Sequence, residues 1–237
     1  MRSETYGGLR VWITGGEDRE GGGDGPAVVL MHGFGAPGTD LVPLWRVLRA
    51  PRGTRFLFPE APLEMAMGFG ESRAWWMIDM IALELAIRTG VPRDMTQQVP
   101  EGLPEARAMV RAMLDEATTA LSIPDGKLVL GGFSQGAMLA LDAALHDPRP
   151  LAGAVLLSTT LLAENEWVPR MLTRRGLRVL QSHGERDELL NVAFAERLRD
   201  LLREAGLDVR WVPFRGGHEI PPNVIDELGA FLTEVLE

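Results

Sequence analysis

Ser134 is the centre of the pattern Gly-Phe-Ser-Gln-Gly at residues 132–136, which lies between an apolar run and an amphipathic stretch. If the run forms a strand and the stretch a helix, the serine occupies a tight strand-to-helix turn that strains its backbone. Glycines on either side of the serine avoid steric clashes across such a turn. The pattern therefore predicts a serine hydroxyl that is exposed at a sheet edge and acts as a nucleophile.

The surroundings of this pattern matter, because a chain with 27 glycines can contain Gly-x-Ser-x-Gly by chance in a surface loop. Residues 128–130 are apolar and predict the preceding strand, and residues 137–146 predict the following helix. No other serine of the chain has such a context. The amide of Gln135 then points to where an oxyanion would form, and the positive end of the helix dipole adds to its effect.

A serine nucleophile needs a base, and the base needs an acid that orients it. His218 lies in a glycine-rich loop after the last predicted strand, and Asp187 follows the strand predicted at 178–180. The order serine, acid, histidine along the chain is one that catalytic triads use. A second interpretation makes Asp187 a turn or N-cap residue of the next helix, in which case Glu185 or Glu188 would be the acid.

Another glycine-rich loop, at residues 32–38, follows the first strongly apolar strand. Such a loop can bring the N–H of Phe34 towards the nucleophile and complete an oxyanion hole. We interpret His32 and His183 as buried loop histidines. His146 ends a predicted helix, where a cation complements the helix dipole, and is assigned no function.

Composition narrows the class of protein. The formal net charge of −9 disfavours nucleic acid as a partner. There are no cysteines, which excludes disulfides and a cysteine nucleophile. Histidines and acids do not cluster as metal ligands do, so neither a metal nor a cofactor is expected. No apolar stretch reaches about 18 residues and no signal peptide is apparent, so we expect no membrane span and a cytoplasmic location.

Short apolar runs alternate with amphipathic stretches, which predicts a mostly parallel sheet with helices on both faces. Strands are predicted at 27–31, 55–58, 128–130, 154–157, 178–180 and 209–213, with an edge strand at 10–13. Helices are predicted at 40–48, 104–121, 137–146, 192–205 and 223–236. We expect one domain over residues 1–237, with its reactive groups at the carboxyl ends of the strands.

Residues 61–100 interrupt this alternation and are rich in Met, Trp, Pro and Gly. They contain no clear strand and predict a small cap-like insertion over the sheet. Within them, residues 63–80 predict an acyl-binding wall, with Met67, Trp75 and Trp76 as substrate-binding residues, because Met adapts to apolar ligands and Trp offers a broad surface. The alternative is that Trp75 and Trp76 only pack the insertion onto the sheet.

The chain resembles the phospholipase/carboxylesterase family of α/β-hydrolases, which includes the acyl-protein thioesterases. The resemblance rests on short motifs in family order: His-Gly at 32–33, Pro-Glu-Ala-Pro at 59–62, Arg-Ala-Trp-Trp at 73–76, Phe-Ser-Gln-Gly at 133–136, the His-Gly to Asp motif at 183–187, and Gly-His at 217–218. It implies the α/β-hydrolase fold, a catalytic triad of Ser134, Asp187 and His218, and oxyanion-hole amides from Phe34 and Gln135.

The leading hypothesis is a serine-dependent carboxylic-ester hydrolase that acts on small to medium acyl esters through an acyl-enzyme. A thioesterase for acylated proteins or small thiols, or a lysophospholipase, is the alternative, because a triad does not distinguish these substrates. A non-catalytic binding domain on the same fold is a third hypothesis, but no triad member is missing. The expected partner is a small-molecule ester, and an oligomer is compatible with the sequence.

Overall fold

One eight-stranded sheet forms the centre of the computed structural model, which describes residues 1–66 and 70–237. Its strands are β1 (Arg2–Tyr6), β2 (Leu9–Gly15), β3 (Ala27–Met31), β4 (Arg55–Pro59), β7 (Leu128–Phe133), β8 (Gly153–Leu157), β9 (Arg178–Gly184) and β10 (Asp208–Phe214). Two further strands, β5 (Leu63–Glu64) and β6 (Arg73–Ala74), form a separate hairpin. The order across the sheet is β1-β2-β4-β3-β7-β8-β9-β10.

The sheet is antiparallel at one edge and parallel elsewhere. Strand β2 pairs antiparallel with β1 and β4, whereas every neighbour from β4 to β10 is parallel. All five residues of β3 are buried, and so are all five of β8, as expected for strands covered on both faces. This arrangement confirms the predicted mostly parallel sheet and brings the carboxyl ends of β3, β7, β8, β9 and β10 to one edge.

Helices cover both faces of the sheet. They are α1 (Met80–Thr89), α2 (Leu103–Ala120), α3 (Gln135–His146), α4 (Glu164–Met171), α5 (Val192–Glu204) and α6 (Pro222–Leu236). Buried side chains of α2, α3, α4 and α5 share one apolar cluster with one face of the sheet. Those of α6 share a second cluster with the other face. Helix α3 is buried along almost its whole length, which fixes the residue that precedes it, Ser134.

The helix predicted at 40–48 is wrong, because the structure has a single 3-10 turn at Val42–Arg46. Pro43 is tolerated only in the first turn of a helix, and Pro51 disfavours a helical backbone at the residue before it. Too few residues lie between the two prolines for a stable α-helix. Outside the 61–100 segment, β1 and α4 have no counterpart in the prediction: the residues of β1 are mostly polar and exposed, and α4 contains Pro169.

The segment at 61–100 contains the β5–β6 hairpin and helix α1, where no regular structure was expected. Asp79 caps α1 by accepting the N–H of Ala82 at 2.9 Å, and Gly90 ends it in the left-handed conformation. No residue of α1 is buried. Among the described helices, none combines the length and apolar character that crossing a membrane requires.

Candidate active site

Ser134 occupies the turn between β7 and α3 with φ 54° and ψ −120°, a backbone region that side-chain-bearing residues rarely adopt. The flanking glycines make the turn possible. A Cβ on Gly132 would lie 2.5 Å from the carbonyl oxygen of Met31, and a Cβ on Gly136 would lie 2.6 Å from that of His32. The predicted steric role of both glycines is therefore confirmed: β7 and α3 approach the end of β3 too closely for a side chain.

Asp187 follows β9 and faces His218 directly. Its Oδ2 accepts a hydrogen bond from His218 Nδ1 at 2.7 Å, while its Oδ1 accepts the backbone N–H groups of Leu189 and Leu190, both at 2.9 Å. This carboxylate is 7% exposed, so its acceptor positions are almost fully used within the protein. The geometry fixes the orientation of the imidazole and leaves its Nε2 on the opposite side of the ring.

The local environment keeps Asp187 ionised and the neighbouring His183 neutral. Burial by itself would raise the pKa of Asp187, but the hydrogen bond and charge of His218 and the N–H of Leu190 hold that pKa below its usual range. Burial lowers the pKa of His183, whose Nε2 donates to the carbonyl oxygen of Leu190 at 2.7 Å. His183 therefore secures the backbone of the loop that carries the acid, which sequence reasoning did not recognise.

Ser134 and His218 line the same cavity. His218 packs on the ring of Phe133, with 4.8 Å between the ring centroids, and its side chain is 14% exposed. No hydrogen bond joins Ser134 Oγ to His218, both of which the structure describes. Such contacts are often loose without substrate and shorten when it binds.

The two predicted oxyanion amides belong to residues that line this cavity. Gln135 is the first residue of α3, so its N–H has no acceptor within the helix. Phe34 lies in the loop after β3, next to Gly33, and a Cβ on Gly33 would lie 3.3 Å from the Cβ of Ser134. The loop after β3 and the start of α3 thus both lie close to Ser134.

The side chain of Gln135 has a structural role that the sequence did not indicate. It is buried, accepts the backbone N–H of Trp75 at 2.9 Å, and donates to the carbonyl oxygen of Trp76 at 2.8 Å. Trp75 Nε1 donates to the carbonyl oxygen of His32 at 3.0 Å. Gln135 therefore ties the 61–100 segment to the turn at Ser134.

The cavity has a volume of about 190 Å³ and mostly apolar walls. Apart from the residues of the candidate triad and oxyanion hole, the lining comes from the 61–100 segment, from α3, and from the ends of β3, β7, β8 and β9 or the loops after them: Gly33, Ala36, Asp40, Trp76, Ile78, Leu83, Arg93, Met95, Pro100, Phe133, Met138, Leu162, Leu189 and Leu190. The acyl-binding wall predicted from the sequence contains two of these residues, Trp76 and Ile78. Helical or strand periodicity does not single out the others, because they belong to loops and to separate elements.

The acyl-binding wall predicted at 63–80 needs correction. Among the described residues of that stretch, 63–66 and 70–80, only Trp76 and Ile78 line the cavity, and the remaining described wall of the segment comes from residues 83–100. Trp75 does not line it; this side chain is 2% exposed and packs in the core beside His32, which agrees with the alternative that it is structural. Met67 lies outside the described residues.

The other sequence candidates lie away from the reacting groups. Glu185 and Glu188, the alternative acids, are both exposed. His32 is buried, as expected: its Nδ1 donates to the carbonyl oxygen of Gly33 at 2.8 Å, and its Nε2 accepts the N–H of Ala61 at 3.1 Å. His146 ends α3 and contacts the carbonyl oxygen of Asp142 at 2.8 Å.

The strand order, the turn at Ser134 and the Asp187–His218 pair define an α/β-hydrolase. The chain belongs to the phospholipase/carboxylesterase family, whose profile matches residues 21–236. It is 28% identical over 218 residues to acyl-protein thioesterase 1 of Neurospora crassa, covering 88% of this chain and 86% of that protein. It is 29% identical over 220 residues to acyl-protein thioesterase 1 of Mycosarcoma maydis, covering 87% and 90%.

Solved structures give the same fold. The crystal structure of esterase PE8 superimposes with a TM-score of 0.78 at 28% identity, covering 94% of this chain and 97% of that one. The Bacillus cereus carboxylesterase matches with a TM-score of 0.68 at 20% identity, covering 96% and 94%, and shows the fold alone. The family resemblance expected from the sequence motifs is thereby confirmed.

Replacing Asp187 by Asn tests the proposed orienting acid. The Asn Oδ1 can still accept the N–H groups of Leu189 and Leu190, so we expect the fold to be retained. The amide nitrogen facing His218 can only donate, which forces the imidazole into the tautomer that cannot take a proton from Ser134. We expect kcat for an ester to fall by up to about 10⁴-fold, measured with equal amounts of folded protein.

The matched control is Glu185→Gln, which removes a carboxylate two residues away on an exposed side chain. It should stay within a few-fold of the wild type. A larger loss in Glu185→Gln than in Asp187→Asn would show that the acid is misplaced.

The buried His32 predicts a loss of stability in mild acid. Burial lowers the pKa of His32, although the Gly33 carbonyl and the charges of Asp40 and Glu60 act in the other direction. Below an unfolded-state pKa of about 6.5, the unfolded chain takes up a proton that the folded chain refuses. The contribution of neutral His32 to the free energy of unfolding is therefore complete above that pH. It is lost as the pH falls towards the lower pKa that His32 has in the folded state.

The measurement is the free energy of unfolding of His32→Asn between about pH 7.5 and 5. The variant should have a lower free energy of unfolding than the wild type, and this difference should shrink as the pH falls. Only the wild type has a histidine at position 32, so only it loses stability when the unfolded chain takes up the proton there. Val29→Ala, a non-ionisable change on β3, the strand that ends just before His32, should keep a constant difference in free energy of unfolding from the wild type. Parallel pH curves for the wild type and His32→Asn would contradict the expectation.

Proposed function

We propose that this protein is a serine-dependent carboxylic-ester hydrolase that works through an acyl-enzyme. The observation that carries the proposal is that Ser134, His218, Phe34 and Gln135 line one cavity, with His218 Nδ1 at 2.7 Å from Asp187 Oδ2. The family membership and the similarity to esterase PE8 support ester hydrolysis as the reaction.

In this mechanism Ser134 Oγ attacks the ester carbonyl while His218 Nε2 takes its proton. The carbonyl oxygen becomes an oxyanion that accepts hydrogen bonds from the N–H groups of Phe34 and Gln135, and the N-terminus of α3 adds positive potential. His218 then gives its proton to the departing alcohol, and the acyl group stays on Ser134. Water, deprotonated by His218, attacks the acyl-enzyme and releases the acid.

Asp187 contributes through charge and orientation. Its anionic form stabilises the imidazolium that exists in each half of the reaction, and its hydrogen bond to Nδ1 keeps Nε2 directed towards the serine.

The cavity supports small to medium acyl groups. Its volume of about 190 Å³ is somewhat larger than the roughly 150 Å³ of an apolar cavity that holds one benzene molecule. Leu162 and Met138 are buried in its wall, and Leu83, Met95 and Leu190 are half-buried. Such a lining fits an aliphatic chain of moderate length and offers few polar groups to it.

A thioesterase is the second candidate, favoured by the similarity to relatives named acyl-protein thioesterase 1. Its chemistry at the carbonyl would use the same groups. The difference lies in the leaving group, since a thiolate departs with less need for a proton than an alkoxide does. An orienting acid and a well-placed imidazole therefore matter most for an ordinary alkyl ester.

Removing the nucleophile tests the proposal. Ser134→Ala should lower kcat by several orders of magnitude, with residual activity from the oxyanion donors. A fluorophosphonate probe should label the wild type at Ser134, located by peptide mass spectrometry. Ser3→Ala, at an exposed serine of β1, should be labelled and active like the wild type. Labelling at another serine, or near-normal turnover by Ser134→Ala, would overturn the mechanism.

Matched substrates separate the two candidates. We expect kcat/KM for an ethyl ester to equal or exceed kcat/KM for the S-ethyl thioester of the same acid, because the orienting acid supports proton transfer to an alkoxide. The rates are compared at saturating and limiting substrate with acid release as the readout. A preference for the thioester by about tenfold or more, equivalent to about 1.4 kcal/mol, would favour the thioesterase.

A further inference from the structure

Two charged side chains, Arg93 and Asp40, line the otherwise apolar cavity that contains Ser134. Arg93 is half-buried and makes no ion pair with any residue in the described ranges 1–66 and 70–237. A guanidinium cannot lose its charge at neutral pH, and placing it beside an apolar wall costs free energy unless an anion compensates it. The cavity therefore carries a cation whose counterpart is not part of the described chain.

The backbone next to Arg93 is well anchored. Asp94 Oδ1 accepts both the N–H and the hydroxyl of Thr96, at 2.9 and 2.7 Å. The carbonyl oxygen of Thr96 accepts the N–H of Glu164 at 2.8 Å, and that of Gln98 accepts the N–H of Ala163 at 3.0 Å. These bonds tie the residues after Arg93 to the start of α4, so the cation lies at a defined place in the wall.

Arg93 also borders a second, more polar groove that adjoins the cavity. That groove carries Arg186 and Glu188, both exposed, together with Asn191. Asp187, which also lines it, is already engaged by His218. The groove therefore contains two arginines, Arg93 and Arg186, and only one carboxylate besides that of Asp187 among the described residues, that of Glu188. This local excess of positive charge occurs in a chain whose net charge is −9.

We propose that Arg93 binds a carboxylate or phosphate group of the substrate, so that the preferred substrates are anionic esters. The inference rests on the proposed ester hydrolysis and specifies its substrate class. A guanidinium presents a planar fork of donors that matches both kinds of anion. Asp40 is exposed and lies on the side of the loop after β3, where its charge repels an anion. The two charges thus orient the anionic end of the substrate towards Arg93.

The test compares an anionic ester with its uncharged isostere. Monoethyl adipate and ethyl adipamate place the charge on the acyl side, and O-hexanoyl glycolate and O-hexanoyl glycolamide place it on the alcohol side. The quantity measured is the ratio of kcat/KM for the anionic ester to that for the neutral ester. In the wild type we expect this ratio to exceed one in the pair whose anion reaches Arg93.

Arg93→Gln should lower that ratio by about tenfold or more, as expected when a charged hydrogen-bond partner is lost. Arg93→Lys, which keeps the charge without the planar fork, should retain much of the preference. The matched control is Arg88→Gln, an exposed arginine at the end of α1 that makes no contact with the cavity. It should leave the ratio at the wild-type value.

The outcomes separate this inference from the proposed function. If the wild type hydrolyses the neutral esters and Arg93→Gln changes neither ratio, or shifts them no more than Arg88→Gln does, Arg93 does not recognise an anion and the inference is overturned. A wild type that hydrolyses no ester overturns the proposed function instead. Should Arg93→Gln fold poorly, Arg93→Met takes its place, and the same fall in the ratio is expected. A low yield does not affect the decision, since a ratio of rates is independent of the amount of folded protein.

Discussion

The backbone of Ser134 is held in a region that residues with side chains avoid, and the rest of the site depends on what holds it there. Its N–H donates to the carbonyl oxygen of Leu157 at 2.8 Å, and its own carbonyl accepts the N–H groups of Ala137 and Met138 at 3.0 and 3.1 Å. A backbone of this kind costs about 1–3 kcal/mol, which the surrounding sheet and helix must compensate. The strained turn is what directs the hydroxyl into the cavity.

The same close packing connects the turn to the segment above it. Gln135 can bind Trp75 and Trp76 only because it begins α3 immediately after Ser134. Trp75 in turn binds the carbonyl oxygen of His32, whose imidazole accepts the N–H of Ala61. The turn at Ser134, the loop after β3 and the cavity wall are thus parts of one hydrogen-bonded unit, and a displacement in one of them would move the others.

The ionisable groups around the site lie in different local environments. Asp187 stays anionic because four groups favour the charge: the imidazole of His218, the backbone N–H groups of Leu189 and Leu190, and the nearby His183. The two histidines near this carboxylate differ in position, since His183 is buried, which lowers its pKa, whereas His218 borders the cavity. One loop cluster thus contains an anionic carboxylate, a neutral buried histidine and an imidazole at the cavity wall.

Local sequence determined much of this protein. The apolar runs of β3, β7, β8 and β9 are buried strands as predicted, because a strand covered on both faces needs continuous apolar residues. The spacing of residues 132–136 predicted the strained turn, although the steric demand on its glycines comes from Met31 and His32, which lie far away in sequence. The pairing of Asp187 with His218 followed from their order along the chain and from family motifs, and the structure brings them together.

Only the tertiary structure decided the walls and secondary contacts of the site. The cavity draws Leu162, Leu189 and Arg93 from segments far apart in sequence, and no periodicity marks such residues. Trp75 and Trp76 are adjacent and chemically identical, yet one packs in the core and the other lines the cavity, because Gln135 fixes the direction of the chain between them. Short-range patterns predict elements through local sterics and burial, whereas the placement of a side chain in a cavity depends on long-range packing that a single sequence does not encode locally.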